Sequence, residues 1–445
     1  MGLLNLPGSG GSKDMPGLKG RVYTFVQSAL TLLLLTYFFS VDRACTLLTF
    51  IMVSTIASLQ FGSAEACAWT PQSYVHIIAV VLLQLLPGRV PSSIACLASA
   101  ALCASAYLGL VRIWLPSAPR RLDGWVVVVT GSSAGIGLET ARHLLRLGAT
   151  VVFACRTEAR ARAAMADALA TTGAPSAKAV FAALDMADCA SVRAFVDAFK
   201  KTTGLDRVDA LVCNAGGMHP QRKVSAHGWE MNFGVHQLGH FLLAQLLLPR
   251  LRTAAAEGGG RGVVVSVASS LHKIAPEARC AELLADPMSE KGCALRSAQL
   301  VRHSCAILTT PPLLHRYAMF ATYAKSKLAQ VATTFELQRR EAAAGSGVRA
   351  VALHPGNSYT DVIRDYPLPV RIANAAIAPI WAMVTQSAAD SALTSLYAVA
   401  TPDPDATAGK YLERCAPVAP AKEAENEAVA RRVWAMSEEL VRPWA

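Results

Sequence analysis

The feature that most constrains the fold of this chain is a glycine-rich turn, TGSSAGIG, at positions 130–137. An uninterrupted apolar run at 125–129 precedes the turn, and a helix-like run at 138–147 follows it. A strand, a glycine-rich turn and a helix in this order leave free backbone N–H groups at the helix N-terminus, where the positive end of the helix dipole attracts a phosphate. The turn therefore predicts a nucleotide site.

Downstream of this turn, apolar strands alternate with helices. The predicted helix 135–147 ends at Gly148, and a second apolar run at 150–154 follows. A parallel sheet that is buried on both faces needs such continuous apolar strands. The pattern predicts an α/β fold of the Rossmann type, with a doubly wound parallel sheet.

The first 121 residues have a different character, because they contain four stretches without charged side chains: 22–41, 44–64, 66–87 and 90–111. A helix that spans a bilayer takes about 20 apolar residues. The first, second and fourth stretches meet that length, whereas Pro71, Gln72 and Ser73 dilute the third. We expect two to four transmembrane helices, with four preferred. Basic residues before and after the module predict cytosolic ends and an even number of spans; they are Lys13, Lys19 and Arg21, then Arg112, Arg120 and Arg121.

Composition agrees with a membrane module joined to an enzyme-like domain. Hydrophobic residues make up 53% of the chain, more than a soluble domain needs. The net charge is +11, but no long Lys/Arg run with interleaved aromatic residues predicts nucleic-acid binding. The 11 cysteines form no CxxC pairs, which argues against a disulfide framework and a zinc site. We divide the chain into a membrane module (1–121), a catalytic domain (122–416) and a helical tail (417–445).

The end of the second predicted strand indicates which dinucleotide the turn would bind. An acidic residue at this place would bind the ribose 2′-hydroxyl and select NAD. The sequence has Arg156 instead. Its charge suits a 2′-phosphate, so the prediction is NADP(H), with a merely solvated arginine as the alternative.

Five motifs follow one another in a characteristic order: TGSSAGIG at 130–137, Asp185-Met186, Asn214-Ala215-Gly216, YAKSK at 323–327 and His354-Pro355-Gly356. Together they resemble the short-chain dehydrogenase/reductase family over about residues 122–415. Further stretches at 154–156, 228–243 and 409–411 are similar to the subgroup of membrane-bound retinol dehydrogenases, with the WW-domain oxidoreductase and protochlorophyllide reductase as relatives. The resemblance implies an NADP-dependent oxidoreductase that acts on CH–OH donors.

The spacing of Tyr323 and Lys327 indicates acid–base chemistry. Hydride transfer between a carbinol carbon and nicotinamide needs a proton to leave or join the oxygen. The two residues are four apart in a predicted helix over 320–337 and share one helix face. A nearby cation would lower the tyrosine pKa from its usual value of about 10. We predict Tyr323 as general acid/base with Lys327 beside it, and the resemblance also places Lys327 on the nicotinamide ribose.

A serine should donate a hydrogen bond to the reacting oxygen from the end of the predicted strand 263–268. Ser269 matches the family's serine best, Ser270 is the alternative, and Ser266 is interpreted as structural. The family's fourth catalytic residue, an asparagine, is replaced by His236. A histidine can bind a water, but it titrates near pH 6.5. We therefore keep an alternative hypothesis, a catalytically weak or inactive NADP(H)-binding membrane sensor or scaffold.

The resemblance also implies the remaining cofactor contacts. Asp185 would touch the adenine, and the loop after the sixth strand would close over the nicotinamide. The predicted cofactor set is Gly131, Ser133, Gly135, Ile136, Gly137, Arg156, Asp185, Asn214, Ala215, Gly216, Lys327, Pro355, Gly356 and Thr360. The distance from Ser269 to Tyr323 exceeds the family's usual gap, so 285–313 is interpreted as an insertion. The apolar stretch 372–384 is interpreted as a pocket wall or membrane-facing lid, with a core helix as the alternative.

These features predict a membrane-bound oxidoreductase for a lipophilic alcohol or carbonyl compound, such as a retinoid, polyprenol, sterol or fatty aldehyde. An apolar substrate partitions into the bilayer beside the catalytic domain. We expect an integral membrane protein of the endoplasmic reticulum with its catalytic domain in the cytosol. The family resemblance also allows a homodimer.

Overall fold

The computed structural model describes residues 115–175, 178–219, 221–274, 319–356 and 386–445. All of them fall in one compact unit, Val111–Ala445. The predicted membrane spans, the insertion at 285–313, Thr360 and the stretch 372–384 lie outside the described residues. Within the ranges given above, no helix combines the length and the apolar character that a bilayer span requires.

The strands of the catalytic domain form one sheet in the order β3-β2-β1-β4-β5-β6-β7-β8. All neighbouring pairs are parallel except β7 with β8. The strands are β1 (Val126–Thr130), β2 (Thr150–Cys155), β3 (Ala179–Ala183), β4 (Ala210–Cys213), β5 (Val263–Val267), β6 (Arg349–His354), β7 (Tyr411–Glu413) and β8 (Ala416–Pro417). This order confirms the predicted Rossmann-type parallel sheet.

The sequence of β1 explains why both faces of the sheet are covered. All of its five residues, VVVVT, are buried. Side chains alternate between the faces of a strand. Val126 and Val128 accordingly join one apolar cluster, whereas Val127 and Val129 join another. A strand of β-branched residues buried on both sides is what a central parallel strand requires.

Helices pack on both faces of this sheet. They are α1 (Gly135–Arg146), α2 (Glu158–Thr172), α3 (Cys189–Thr203), α4 (Met231–Phe233), α5 (His240–Ala256), α6 (Met319–Ala343), α7 (Ala388–Ala400), α8 (Lys422–Glu425) and α9 (Glu427–Val441). A π-helical segment, Gly234–Gly239, joins α4 to α5. Helix α3 begins at an Asp188 cap that accepts a hydrogen bond from the Ala190 N–H, and α2 and α3 end at left-handed glycines.

The C-terminal helix α9 belongs to the core of this domain. Trp434 is 3% exposed, and its ring lies 4.8 Å from the ring of Phe241 in α5. The Gln237 side chain of the π-helical segment donates to the Ser437 hydroxyl at 3.0 Å. The helical tail therefore packs on α5 and its π-helical lead-in rather than extending away from the domain.

The strand order creates one crevice for a ligand. The chain runs outward from β1 to β2 and β3, then crosses back to β4 on the other side of β1. In open α/β sheets, ligands bind at the carboxyl ends of the strands where the order reverses. The segments that follow the carboxyl ends of β1 to β6 carry the residues that the sequence predicts as functional, with Tyr323 and Lys327 in helix α6 and His236 in the π-helical segment.

Candidate active site

Three glycines shape the turn after β1. Gly131 and Gly135 adopt φ values of +66° and +56°, a region that favours glycine. A Cβ atom on Gly131 would lie 2.8 Å from the Ala215 Cα. A Cβ atom on Gly137 would collide with the side-chain amide of Asn214. The turn therefore needs glycine at these positions to pack against the loop after β4.

The first turn of α1 is open to an anion. The N-cap residue Ala134 makes no side-chain hydrogen bond to the helix. The backbone N–H groups of this turn therefore lack the side-chain acceptor that usually caps a helix. Ser133, Gly135 and Ile136 are half-buried. This geometry fits the pyrophosphate of a dinucleotide, because free N–H groups and the helix dipole act together.

Thr130 ties the loop after β4 to the glycine turn. Its hydroxyl oxygen accepts from the backbone N–H groups of Asn214 and Ala215, both at 2.9 Å. The Asn214 side-chain amide donates to the Thr130 carbonyl at 3.0 Å. His240 completes the group, with Nε2 at 3.0 Å from the Thr130 hydroxyl. Gly216, also predicted to contact the cofactor, lies at the exposed side of this loop.

Arg156 and Asp185 lie together at the outer end of the crevice. Arg156 is 70% exposed, and its Nη1 is 3.8 Å from the Asp185 Oδ2. The other carboxylate oxygen of Asp185 accepts from the Ala187 N–H at 3.0 Å. Asp185 thus both forms a local turn and pairs with Arg156. The guanidinium is available for a phosphate, because an exposed ion pair of this length is weak.

Tyr323, Lys327 and Ser269 meet at the inner end of the crevice. The Ser269 side chain interacts with the phenol of Tyr323 and favours its ionised form. The Lys327 Nζ lies 5.7 Å from the centre of the Tyr323 ring. It donates to the Val267 carbonyl at 2.8 Å and to the Gln330 Oε1 at 3.0 Å. Helix α6 and the end of β5 therefore bring the three predicted residues to one place.

The pKa values of this group differ from the sequence-based expectation. Burial raises the pKa of Tyr323 to about 12, and the Ser269 side chain opposes this only in part. Burial lowers the pKa of Lys327 to about 7. We expected the lysine to depress the tyrosine pKa, but desolvation of the phenol is the largest cause here and raises it. Tyr323 is thus protonated at neutral pH.

The other two serines near the end of β5, Ser266 and Ser270, have other positions. Ser270 begins a short 3₁₀ helix, Ser270–Ile274. The Ser266 hydroxyl accepts from the Thr334 hydroxyl at 2.8 Å, which fits the structural interpretation of Ser266. Ser269 itself is 8% exposed, and its hydroxyl accepts from the Leu271 N–H at 3.2 Å.

His236 is fixed by both of its ring nitrogens. Its Nε2 accepts from the Gly217 N–H at 3.2 Å, so the proton is on Nδ1, 2.9 Å from the Ser326 hydroxyl. That hydroxyl donates to the Tyr323 carbonyl at 2.7 Å. Burial and the nearby Lys327 charge hold the His236 pKa well below its ordinary value. The expectation that His236 titrates near pH 6.5 is therefore wrong, and no ring nitrogen is left for a relay water.

Two residues near the site were missed by sequence reasoning. Gln330 bonds to Lys327 from one helical turn further along α6. His272 donates from Nδ1 to the Ser269 carbonyl at 2.6 Å, while its Nε2 accepts from the Ala421 N–H at 3.0 Å. Both lie three residues after a predicted catalytic residue, and that spacing on a helical turn is the signal that could have found them.

The loop after β6 brings Pro355 and Gly356 to the same edge of the sheet. Pro355 is buried, and Gly356 adopts a φ of +101° beside the Gln386 side chain. A Cβ atom on Gly356 would collide with the Gln386 amide oxygen, so glycine is required here. The predicted cofactor residue that follows in this loop, Thr360, is outside the described part of the chain.

Comparisons with known proteins agree with this arrangement. The sequence profile of the short chain dehydrogenase family matches residues 125–280. The chain is 36% identical to polyprenol dehydrogenase of Mus musculus over 321 aligned residues, and these make up 72% of this chain and 84% of that protein. It is 33% identical to retinol dehydrogenase 13 of Homo sapiens over 321 aligned residues, and these make up 72% of this chain and 85% of that protein.

A third relative and one solved structure extend the comparison. The WW domain-containing oxidoreductase of Pongo abelii is 33% identical over 329 residues, which are 73% of this chain and 69% of that protein. The crystal structure of an uncharacterised protein from Mycobacterium paratuberculosis superposes with a TM-score of 0.53 at 29% identity, covering 74% of this chain and 98% of that one. The resemblance predicted from the motifs is confirmed. This chain belongs to the short-chain dehydrogenase/reductase family, oxidoreductases that act on CH–OH groups with NAD(P)(H).

Proposed function

We propose that this protein is a membrane-bound, NADP(H)-dependent oxidoreductase that interconverts a lipophilic alcohol and its carbonyl compound. The observation that carries the proposal is that Ser269 interacts with the Tyr323 phenol while the Lys327 ammonium lies 5.7 Å from the centre of the tyrosine ring. The pair lies at the same sheet edge as the open first turn of α1. A proton donor and a dinucleotide site at one edge are what hydride transfer to a carbonyl requires.

The residues of the crevice fit NADP(H). Backbone N–H groups after Gly131 and at the start of α1 would hold the pyrophosphate, and the exposed Arg156 would hold the 2′-phosphate. One N–H of the Lys327 ammonium remains for a ribose hydroxyl, since the other two have protein acceptors. A bound nicotinamide supplies or accepts the hydride.

The side chains of this site supply and hold the proton. Tyr323 carries its proton at neutral pH because burial raises its pKa to about 12, and it can pass that proton to a carbonyl oxygen during reduction. Ser269, beside Tyr323, can turn its single hydroxyl proton to the same carbonyl oxygen. The protonated phenol and the preference for NADP(H) both favour reduction as the physiological direction.

A lipophilic substrate is supported by the relatives and by the N-terminal sequence. The similar proteins are named for polyprenol and for retinol. The uncharged stretches before residue 112 would anchor this chain in a bilayer, where such substrates dissolve. We propose the endoplasmic reticulum membrane, with the catalytic domain on the cytosolic side.

The test uses the full-length protein in lipid nanodiscs. NADPH oxidation is followed with retinal, a polyprenal, a steroid ketone and a long-chain fatty aldehyde, and acetaldehyde serves as the water-soluble control. We expect turnover with at least one lipophilic carbonyl compound, slower turnover with NADH, and little with acetaldehyde. Tight NADPH binding without oxidation by any of these compounds would instead support the sensor or scaffold hypothesis, for which His236 is the supporting departure.

A further inference from the structure

Lys327 is held on the protein side by two acceptors. Its Nζ donates to the Val267 carbonyl at 2.8 Å and to the Gln330 Oε1 at 3.0 Å. Gln330 lies one helical turn after Lys327 and is 3% exposed. The carboxamide of Gln330 therefore points along the same face of α6 as the lysine, into the interior of the domain.

Packing alone does not explain a glutamine at this position. The Gln330 Nε2 is buried and has no hydrogen-bond partner among the residues that the structure describes. A buried amide donor without a partner lowers the stability of a fold, and an apolar side chain of similar length would avoid that loss. The glutamine does supply a hydrogen-bond acceptor for the Lys327 ammonium, which an apolar side chain would not.

Among the described residues, the titratable side chains near Lys327 are neutral at physiological pH. They are Tyr323 on the same helix, Cys213 at the end of β4, His236 in the π-helical segment and His240 in α5. Burial raises the pKa of Tyr323 and of Cys213 to about 12, and it lowers the pKa of His240 to about 3. The ring nitrogens of His236 are bonded to Gly217 and Ser326, so His236 provides no acceptor for Lys327.

We propose that Gln330 is the positioning residue for Lys327, holding the ammonium at the dinucleotide site with a neutral acceptor. This inference rests on the proposed function, because it assigns the third N–H of Lys327 to the cofactor. A neutral acceptor orients the lysine and supports its charge. A carboxylate at the same place would neutralise that charge and compete with the cofactor hydroxyl.

The test compares two substitutions of nearly equal size, Gln330→Met and Gln330→Glu. Methionine removes the acceptor, so the ammonium loses a hydrogen bond and the Lys327 pKa falls below about 7. Glutamate adds a negative charge, so the Lys327 pKa rises. NADPH affinity depends on the ammonium and is lost as the pH rises through that pKa. The loss should therefore occur at lower pH in Gln330→Met and at higher pH in Gln330→Glu than in the wild type.

The measurement is the NADPH dissociation constant as a function of pH, read from nicotinamide fluorescence with the full-length protein in nanodiscs. Near neutral pH, Gln330→Met should bind NADPH about tenfold more weakly than the wild type if the Lys327 pKa falls by about one unit, because about tenfold less of the ammonium form is then present. The kcat/KM profile, recorded with whichever carbonyl compound is turned over, should shift in the same directions.

Thr334→Val is the matched control. It removes a buried hydroxyl that bonds to Ser266 in β5 and to the backbone carbonyl of Gln330, and it leaves the Gln330 carboxamide and Lys327 in place. The control should lose thermal stability but keep the wild-type pH dependence. Shifts in the same direction for both Gln330 variants, or no shift in folded protein, would overturn the positioning role. NADPH binding tests that role separately from turnover, so a wild type that binds NADPH without oxidising it refutes the proposed function and not this inference.

Discussion

The two ends of the candidate site differ in how far water reaches their side chains. At the outer end, Arg156 is 70% exposed and stands 3.8 Å from a half-buried Asp185. At the inner end, Ser269 and Lys327 are buried; Lys327 is bonded to Val267 of β5, and the Ser269 side chain interacts with Tyr323 of α6. Charge at the outer end is screened by water, whereas at the inner end each contact sets the protonation of the next. Substitutions should therefore have large effects at the inner end and small ones at the outer end.

The largest effect should follow the loss of the Tyr323 hydroxyl. Tyr323→Phe keeps the ring against His236 at 5.3 Å but removes the proton donor. Positioned acid–base groups contribute about 10²- to 10⁴-fold to rate, so we expect kcat to fall by that factor. The measurement is NADPH oxidation with the preferred carbonyl compound, together with the NADPH dissociation constant, which should change little.

Tyr397→Phe is the control for this substitution. Tyr397 is a buried tyrosine in α7, in the apolar cluster on the opposite face of the sheet from Phe241 and Trp434. It should keep the activity of the wild type. If Tyr323→Phe turned over at the wild-type rate, proton transfer would not occur at the inner end. The expected difference between the two ends of the site would then be refuted as well.

The parts of this site that could be predicted from sequence are those with a local cause. Gly131 and Gly137 are required by the geometry of one turn, and Tyr323 and Lys327 share a helix face because of their spacing. The parallel sheet followed from apolar strands that alternate with helices along the chain.

The protonation states could not be predicted, because they depend on burial by distant segments. The lowered pKa of His236 and the raised pKa of Tyr323 both arise from desolvation in the packed domain. Likewise, His272 fixes the Ser269 carbonyl only because the chain returns 149 residues later to place the Ala421 N–H against its other nitrogen. Short sequence windows contain no information about such partners.

The buried end should also make folding sensitive to acid. Burial lowers the pKa of His272 to about 4 and that of His240 to about 3, from about 6.5 in the unfolded chain. These histidines stay neutral in the fold, so the unfolded state takes up protons first as the pH falls below about 6.5. Each should then lower the free energy of unfolding by about 1.4 kcal/mol per pH unit until its folded pKa is reached.

His272→Asn isolates one of these contributions. Asparagine keeps a donor near the Ser269 carbonyl but does not titrate. The variant should be less stable than the wild type near neutral pH, because it loses the bond to Ala421. Between about pH 6.5 and 4, the free energy of unfolding of the variant should fall with decreasing pH less steeply than that of the wild type. The two slopes should differ by about 1.4 kcal/mol per pH unit. Urea unfolding at several pH values measures both slopes, and equal slopes would mean that His272 is not held neutral by burial.

The smallest effect should come from the outer end. Arg156→Ala removes an exposed guanidinium that we assign to the 2′-phosphate, so the KM for NADPH should rise about tenfold while the KM for NADH stays nearly unchanged. Raising the salt concentration should weaken NADPH binding by the wild type more than by the variant, because exposed charge pairs are screened. Arg162→Ala is the matched control, since Arg162 is also exposed and pairs with Glu158 on α2. An equal rise in the KM for NADPH and the KM for NADH would mean that Arg156 contacts a part that the two cofactors share. A thousandfold rise in the KM for NADPH would mean that water does not screen the outer end as its exposure indicates.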